Sequence, residues 1–181
     1  MNEKTTKQIE EMMNQTIGVE VEMNNITRTK AAQLAAEFFG TRRHENTAGR
    51  NGYDTYSAWD GEGREWKFQK DVSIHGPDSE KCELVTPILT YADMETLQEL
   101  IRRLRKAGAK SDATRGCGVH IHIGAKGHTP QTLRNLANIM ASHESLLASA
   151  LNLDRSRMNR YCRTVSKDFL VELNRKKPKT M

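Results

Sequence analysis

Two short stretches hold residues whose types and spacing could do chemistry. One reads Gly116-Cys117-Gly118-Val119-His120-Ile121-His122-Ile123-Gly124. A strand repeats its side-chain direction every two residues, so Val119, Ile121 and Ile123 face one way and His120 and His122 the other. The two histidine Cα atoms then sit roughly 6.6–7 Å apart on one face. The flanking glycines let other backbone or a ligand come close. The second stretch is Ile17-Gly18-Val19-Glu20-Val21-Glu22-Met23. It alternates in the same way, with Glu20 and Glu22 on its polar face.

Either stretch alone is explained by a strand whose polar side faces water. Together they suggest more. With their apolar faces against helices in one sheet, Glu20, Glu22, His120 and His122 share the opposite face. Glu83, between apolar Cys82 and Leu84, can join them from a third strand. Three carboxylates and one or two imidazoles on a rigid sheet repel one another unless a cation neutralises them. Histidine pairs usually favour zinc, iron or copper, but carboxylate-rich sets favour Mg²⁺ or Mn²⁺, so the acids decide. A sheet face lined with Mg²⁺ is a setting for phosphoryl transfer, where catalysis is mostly positioning and charge neutralisation.

The elements that must position these residues follow in order. A short helix over residues 4–14 carries Ile9, Met12 and Met13 on one side. After the acidic strand, Thr27 or Thr29 caps a helix through Ala31 to Phe39, with Gly40 at its end. Residues 41–52 read as a polar loop. Residues 53–59 and 64–70 read as a hairpin around Asp60-Gly61-Glu62-Gly63. A strand over residues 82–87 closes at Pro87. Thr90 then caps a helix with Asp93 as its capping-box partner, and Met94, Leu97, Ile101 and Leu104 share a face. Thr129-Pro130 starts a long helix. Its stripe of Leu133, Leu136, Met140, Leu147 and Leu151 is expected to be buried, with His143 packed into the same stripe as a core histidine. A last short helix spans residues 166–174. This order predicts an α+β fold: a mostly antiparallel sheet with helices on one face and an active-site face on the other.

Composition is compatible with that reading. The 181 residues are 36% hydrophobic and 28% charged, enough for one domain with a core. No apolar run reaches the roughly 18 residues of a membrane span, and the polar N-terminus lacks a signal-peptide core. A cytoplasmic protein is expected. Cys82, Cys117 and Cys162 show neither a disulfide framework nor zinc-knuckle spacing, and Cys82 and Cys117 are expected to be buried thiols. Residues 155–181 carry nine Lys/Arg against two acids, while the other 154 residues are close to neutral. Such a basic end reads as a solvated tail rather than a nucleic-acid surface.

A family resemblance rests on several of these motifs in order. They are Gly18-Val19-Glu20-Val21-Glu22, Trp66 through Asp71 with Ser73, Glu83-Leu84-Val85-Thr86-Pro87-Ile88-Leu89, Gly116 through His122, and Arg160-Tyr161-Cys162. Over residues 16–165 the chain resembles the amidoligase family, carboxylate–amine ligases related to glutamine synthetase and glutamate–cysteine ligase. The resemblance implies a glutamine synthetase-like catalytic sheet over residues 16–165, after a polar segment 1–15 and before a short helix and basic tail 166–181. It implies an ATP-dependent amide-forming ligase acting through an acyl phosphate on an amino acid or peptide-like carboxylate, with a small-molecule or peptide amine as second substrate. Mg²⁺ or Mn²⁺ would be held by Glu20, Glu22, Glu83 and His120. Asp71 would hold metal or the incoming ammonium, so Glu20, Glu22 and Asp71 form the catalytic set. His122, Arg157, Arg160 and Arg163 would meet ATP phosphates or substrate, since guanidinium forks match phosphate. Relatives continue into a later strand with another glutamate and an arginine, so the expectation is a site completed by further residues or by a second chain, as in a homo-oligomer. Two other readings stay open at this stage. One is a metal-dependent hydrolase using the same face on a bound water; the other is a non-catalytic binding or assembly module.

Overall fold

The computed structural model describes residues 2–50 and 52–180, without the Arg50 side chain. Met1, Asn51 and Met181, which fall in the N-terminal segment, the 41–52 loop and the tail, lie outside the described residues. The chain divides into two compact units, Met1–Gly124 and Ala125–Met181. The first holds Glu20, Glu22, Asp71, Glu83, His120 and His122.

That unit is α+β, built on a six-stranded antiparallel sheet. In chain order its elements are α1 (Glu3–Met13), β1 (Ile17–Met23), α2 (Arg28–Phe38), β2 (His44–Asn46), β3 (Tyr56–Trp59), β4 (Glu65–Gln69), β5 (Cys82–Val85), α3 (Met94–Lys106) and β6 (Val119–Ile123). The strand order is β2-β3-β4-β5-β1-β6. The first strand is thus inserted between the last two, which brings the acidic and the histidine strands side by side.

Alternation in each strand sends Val19, Met23, Trp66, Phe68 and Leu84 into one core with α2 and α3. Helix α2 presents Ala31, Ala32, Ala35 and Ala36, all fully buried. Their small side chains let the helix backbone lie close to the sheet, and Trp66 and Phe68 supply the bulk from below. Thr27 caps α2 by accepting from Lys30 N, and Gly40 at φ 73° follows its end. Helix α3 buries Leu97, Leu100 and Leu104. Its entry is the Thr90–Asp93 capping box, which closes a 3₁₀ turn over Tyr91–Asp93. Cys82 and Cys117 are buried and Cys162 is exposed. Burial pushes the Cys82 thiol up to about 12, so it stays protonated and inert.

Two expectations are corrected here. Residues 41–52 are not simply a loop: His44–Asn46 form β2, paired with β3. No hydrophobic alternation marks this strand. It forms because the free edge of β3 supplies hydrogen-bond partners, and Arg43 lies 4.0 Å over the Trp59 ring. The apolar side of β6 is not covered either, since Val119, Ile121 and Ile123 are each more than half exposed. A groove of about 500 Å³, lined by Val21, Val119, Ile101 and Leu104, lies between this strand and α3.

The C-terminal unit holds α4 (Pro130–Ala150), α5 (Arg155–Arg160) and α6 (Lys167–Lys176). Thr129 and Thr132 form the capping box of α4, with Pro130 at its first position. Asn138 and Asn174 exchange side-chain hydrogen bonds between α4 and α6, and the Glu144 carboxylate accepts from Val165 N. The predicted stripe is not buried. Leu136, Met140, Leu147 and Leu151 are exposed, and no residue of α4 is buried. Within its unit a 21-residue helix meets chiefly the 10-residue α6, which is too short to cover the stripe. His143 is likewise exposed rather than packed, with Nδ1 2.8 Å from Ile139 O. Among the described residues no helix is long and apolar enough to cross a membrane.

The hairpin between β3 and β4 is closed by a buried carboxylate. Asp60 Oδ1 accepts from Glu62 N and Arg64 N, and Oδ2 accepts from Arg64 Nε and Trp66 Nε1 at 2.8 and 3.0 Å. Arg64 then reaches Asp93 Oδ1 at 2.9 Å, joining the hairpin to the cap before α3. Burial alone would raise the Asp60 carboxyl, but these bonds outweigh it and hold the group below the ordinary carboxylate range. Asp93 is lowered chiefly by its bond from Arg64. Groups depressed in the folded state contribute stability above the ordinary pKa of about 4 and lose it as pH falls through the folded value. Urea unfolding should therefore show stability falling from about pH 4 downward, and less steeply in Asp60→Asn. Asp60→Ala, which orphans buried donors, should cost roughly 2–3 kcal/mol at neutral pH.

Candidate metal and active site

The sheet register decides which side chains meet. Glu20 lies opposite His120 on β6 and opposite Val85 on β5. Glu22 lies opposite Glu83, and Glu83 opposite Gln69 on β4. Antiparallel partners share a face, so Glu20, Glu22, Glu83, Gln69, His120 and His122 stand together on the side away from α2 and α3. Asp71 comes from the loop after β4. Its Oδ1 accepts from Ser73 N at 2.6 Å, which fixes the carboxylate at the start of that loop.

Two overlapping donor groups result. One combines Glu20, Glu83 and His120, the other Glu22, Asp71 and Glu83, and within each group one ligand atom per residue lies within 4.8 Å of the others. Glu22 and Glu83 are only 3% and 5% exposed. Each has one carboxylate oxygen engaged: Glu22 Oε2 accepts from Gly118 N at 2.6 Å, and Glu83 Oε2 from Gln69 Nε2 at 2.9 Å. Their other oxygens remain for a further partner. His120 Nδ1 lies 2.8 Å from Glu20 Oε2, and its Nε2 lies 4.0 Å from Glu22 Oε1. A histidine held through one ring nitrogen by a carboxylate offers the other in a fixed direction, the usual support for a metal-bound imidazole. His122 Nε2 lies 3.3 Å from Glu20 Oε1, at the margin of the group.

The electrostatics agree with this geometry. Burial pushes the Glu83 carboxyl up, and the charges of Glu20, Asp71 and Glu22 add to that, against the bond from Gln69. The His120 imidazole is raised, first by its hydrogen bond to Glu20 and then by the surrounding carboxylates. Four carboxylates converge here with the His120 imidazole, and His122 stands at the margin. The set is oxygen-rich and partly dry, and it fits a hard divalent cation such as Mg²⁺ or Mn²⁺.

The turn that enters β6 is tied to the Asp71 loop. Gly116 has φ 73°, and a Cβ there would lie 2.5 Å from Ser73 O and 3.1 Å from the His75 ring. His75 N donates to Arg115 O, and the His75 ring nitrogen Nδ1 lies 3.1 Å from Thr114 O. Only glycine lets these two loops touch while Gly118 N reaches Glu22. The remaining predicted residues, Arg157, Arg160 and Arg163, belong to the C-terminal unit. Arg157 and Arg160 flank the Tyr161 ring at 4.8 and 5.2 Å, and Arg163 Nε donates to Asn159 O.

Strand β4 brings further residues to this face, two of them inside the motif Trp66 through Asp71 but without a site role assigned from the sequence. Gln69 and Lys67 stand on the acid face, and Ser57 and Glu65 are joined there at 2.7 Å. Their signal was present in the alternation Glu65-Trp66-Lys67-Phe68-Gln69, but its register against β5 was not.

Two outcomes are expected. Calorimetric titration with Mn²⁺ should show binding that weakens at least about tenfold in Glu22→Gln and in Glu83→Gln, and stays unchanged in Glu62→Gln on the exposed turn. Gly116→Ala should lower the urea midpoint by the equivalent of about 2 kcal/mol or more, from the positive φ and the clash together.

Comparison with known proteins follows the same residues. A family model described as "Putative amidoligase enzyme" matches residues 13–181, which include every residue of the acid–histidine face. Neither the curated proteins nor the solved structures yielded a match. Since the family model spans nearly all of the chain, the protein belongs to the amidoligase family.

Proposed function

We propose that this chain is an ATP-dependent ligase that joins a carboxylate to an amine through an acyl phosphate. The observation that carries this reading is the convergence of Glu20, Glu22, Glu83 and His120 on one rigid sheet face, with Asp71 from the adjoining loop, in a chain of this family. Glu20, Glu22, Glu83 and His120 would hold one or two Mg²⁺ or Mn²⁺ ions. Bound there, such ions neutralise the ATP phosphates and the charge that develops on the transferred phosphoryl group.

The chain's own residues supply placement and a proton acceptor. A substrate carboxylate oxygen attacks the γ-phosphorus, ADP leaves, and an acyl phosphate forms. The amine then attacks the acyl carbon, inorganic phosphate leaves with its bonding pair, and the amine proton passes to a nearby carboxylate. Asp71 suits that last role, because it stands at the rim on a loop and has one oxygen outside its turn hydrogen bond. An ammonium approaching the acidic face would also be drawn there before it loses its proton. We place this reaction in the cytoplasm, where ATP is available and the thiols of Cys82, Cys117 and Cys162 stay reduced.

The reading predicts ADP formation that requires Mg²⁺, a carboxylate and an amine together, with an amide product one water lighter than its two substrates. Coupled ADP release and mass spectrometry over a panel of amino acids and short peptides would measure both. Glu20→Gln should lower kcat by about a hundredfold or more. Full activity in that variant, or turnover of an amide or ester without nucleotide, would overturn the assignment.

A further inference from the structure

The acid face continues across the sheet beyond the metal-ligand candidates. Paired residues define one row that crosses all six strands: Glu45, Ser57, Lys67, Val85, Glu20 and His120. Among the described residues, Lys67 is the only lysine or arginine that the strands place on this face. Its Cα lies two strand spacings from that of Glu20, about 10 Å. Half-buried Val85 alone stands between them in the row.

Lys67 is held loosely. Its nearest acid is Glu65, 4.0 Å from Nζ, and the lysine side chain is 42% exposed. Glu65 is committed elsewhere: its Oε1 accepts from Ser57 Oγ at 2.7 Å, and Ser57 Oγ lies 2.7 Å from Thr47 Oγ, in the buried part of the sheet. This chain fixes Glu65 beside the lysine stem without closing a tight ion pair on the ammonium. A long ion pair this exposed contributes little to stability, so stability does not explain the lysine. Its position does. With cations on the carboxylates at the other end of the row, an anion bound to them would lie over Val85 and next meet Lys67, the one ammonium that the strands place on this face among the described residues.

We propose that Lys67 is an oxyanion-binding residue of the active site, gripping an anionic oxygen of a substrate whose other end lies on the Glu20–Glu83–His120 group. The inference rests on the metal-site reading of that group. Two substrates of the proposed reaction bear such oxygens: the nucleotide in its phosphates and the acceptor in a carboxylate. A lysine ammonium is a point charge that serves a phosphate well, whereas planar carboxylates are matched better by guanidinium. The row therefore favours phosphate.

The test uses the full chain loaded with Mn²⁺ and titrated by calorimetry with inorganic triphosphate and, separately, with glutarate. Lys67→Met should weaken triphosphate binding by about ten- to a hundredfold, and Lys67→Arg should recover most of it, while Mn²⁺ affinity and Tm stay those of the wild type. Loss confined to glutarate would keep Lys67 as the oxyanion residue and assign its partner to the carboxylate substrate. If Lys67→Met binds both anions as tightly as the wild type, or the Mn²⁺-loaded wild type binds neither, the proposal fails while the metal reading stands. If the wild type takes up no Mn²⁺, the metal reading fails and the proposal falls with it.

Discussion

Two carboxylates facing each other across one strand pair constrain everything else in this unit. Glu22 and Glu83 are direct partners in the β1–β5 register and both are nearly buried. Like charges that close, removed from water, oppose folding unless something compensates. The protein compensates in part by design of the neighbourhood: a backbone N–H from Gly118 and an amide from Gln69 each take one carboxylate oxygen. What remains unsatisfied is negative charge directed at a common point, and a cation is the simplest complement.

That constraint accounts for features that look unrelated. Gly118 N reaches Glu22 only because the turn at Gly116 is left-handed and packs on Ser73, and Ser73 N in turn orients Asp71. The two loops and the two carboxylates form one assembly, supported by the hydrophobic layer below. The alanine face of α2 and the large side chains of β4 make that layer rigid. A rigid sheet cannot relax to separate its charges, and the metal and anionic substrate proposed for this face would need that rigidity to be held in place.

Much of this was legible in the sequence. Strict alternation in residues 17–23 and 119–123 identified the strands and assigned Glu20, Glu22, His120 and His122 to polar faces. Glu83 was placed by its apolar neighbours. The Thr90–Asp93 and Thr129–Pro130 caps were readable because capping is a local hydrogen-bond pattern. The misses have physical causes too. Strand β2 has no hydrophobic period and exists through pairing with β3. The α4 stripe has helical spacing, yet its neighbour α6 is too short to cover it. His143 is exposed along with the stripe it belongs to.

The sequence by itself determined which residues are polar and periodic, because side-chain direction in a strand depends only on the backbone repeat. It also determined that an acid-rich face would favour a hard cation, because donor chemistry is carried by residue type. Only the tertiary structure decided who stands beside whom. Inserting β1 between β5 and β6 set Glu20 against His120 and Glu22 against Glu83, and pairing β4 with β5 brought Gln69 and Lys67 onto the same face. Register is a relation between strands far apart in the chain, and a shift of one residue would have turned each of those side chains to the other side of the sheet.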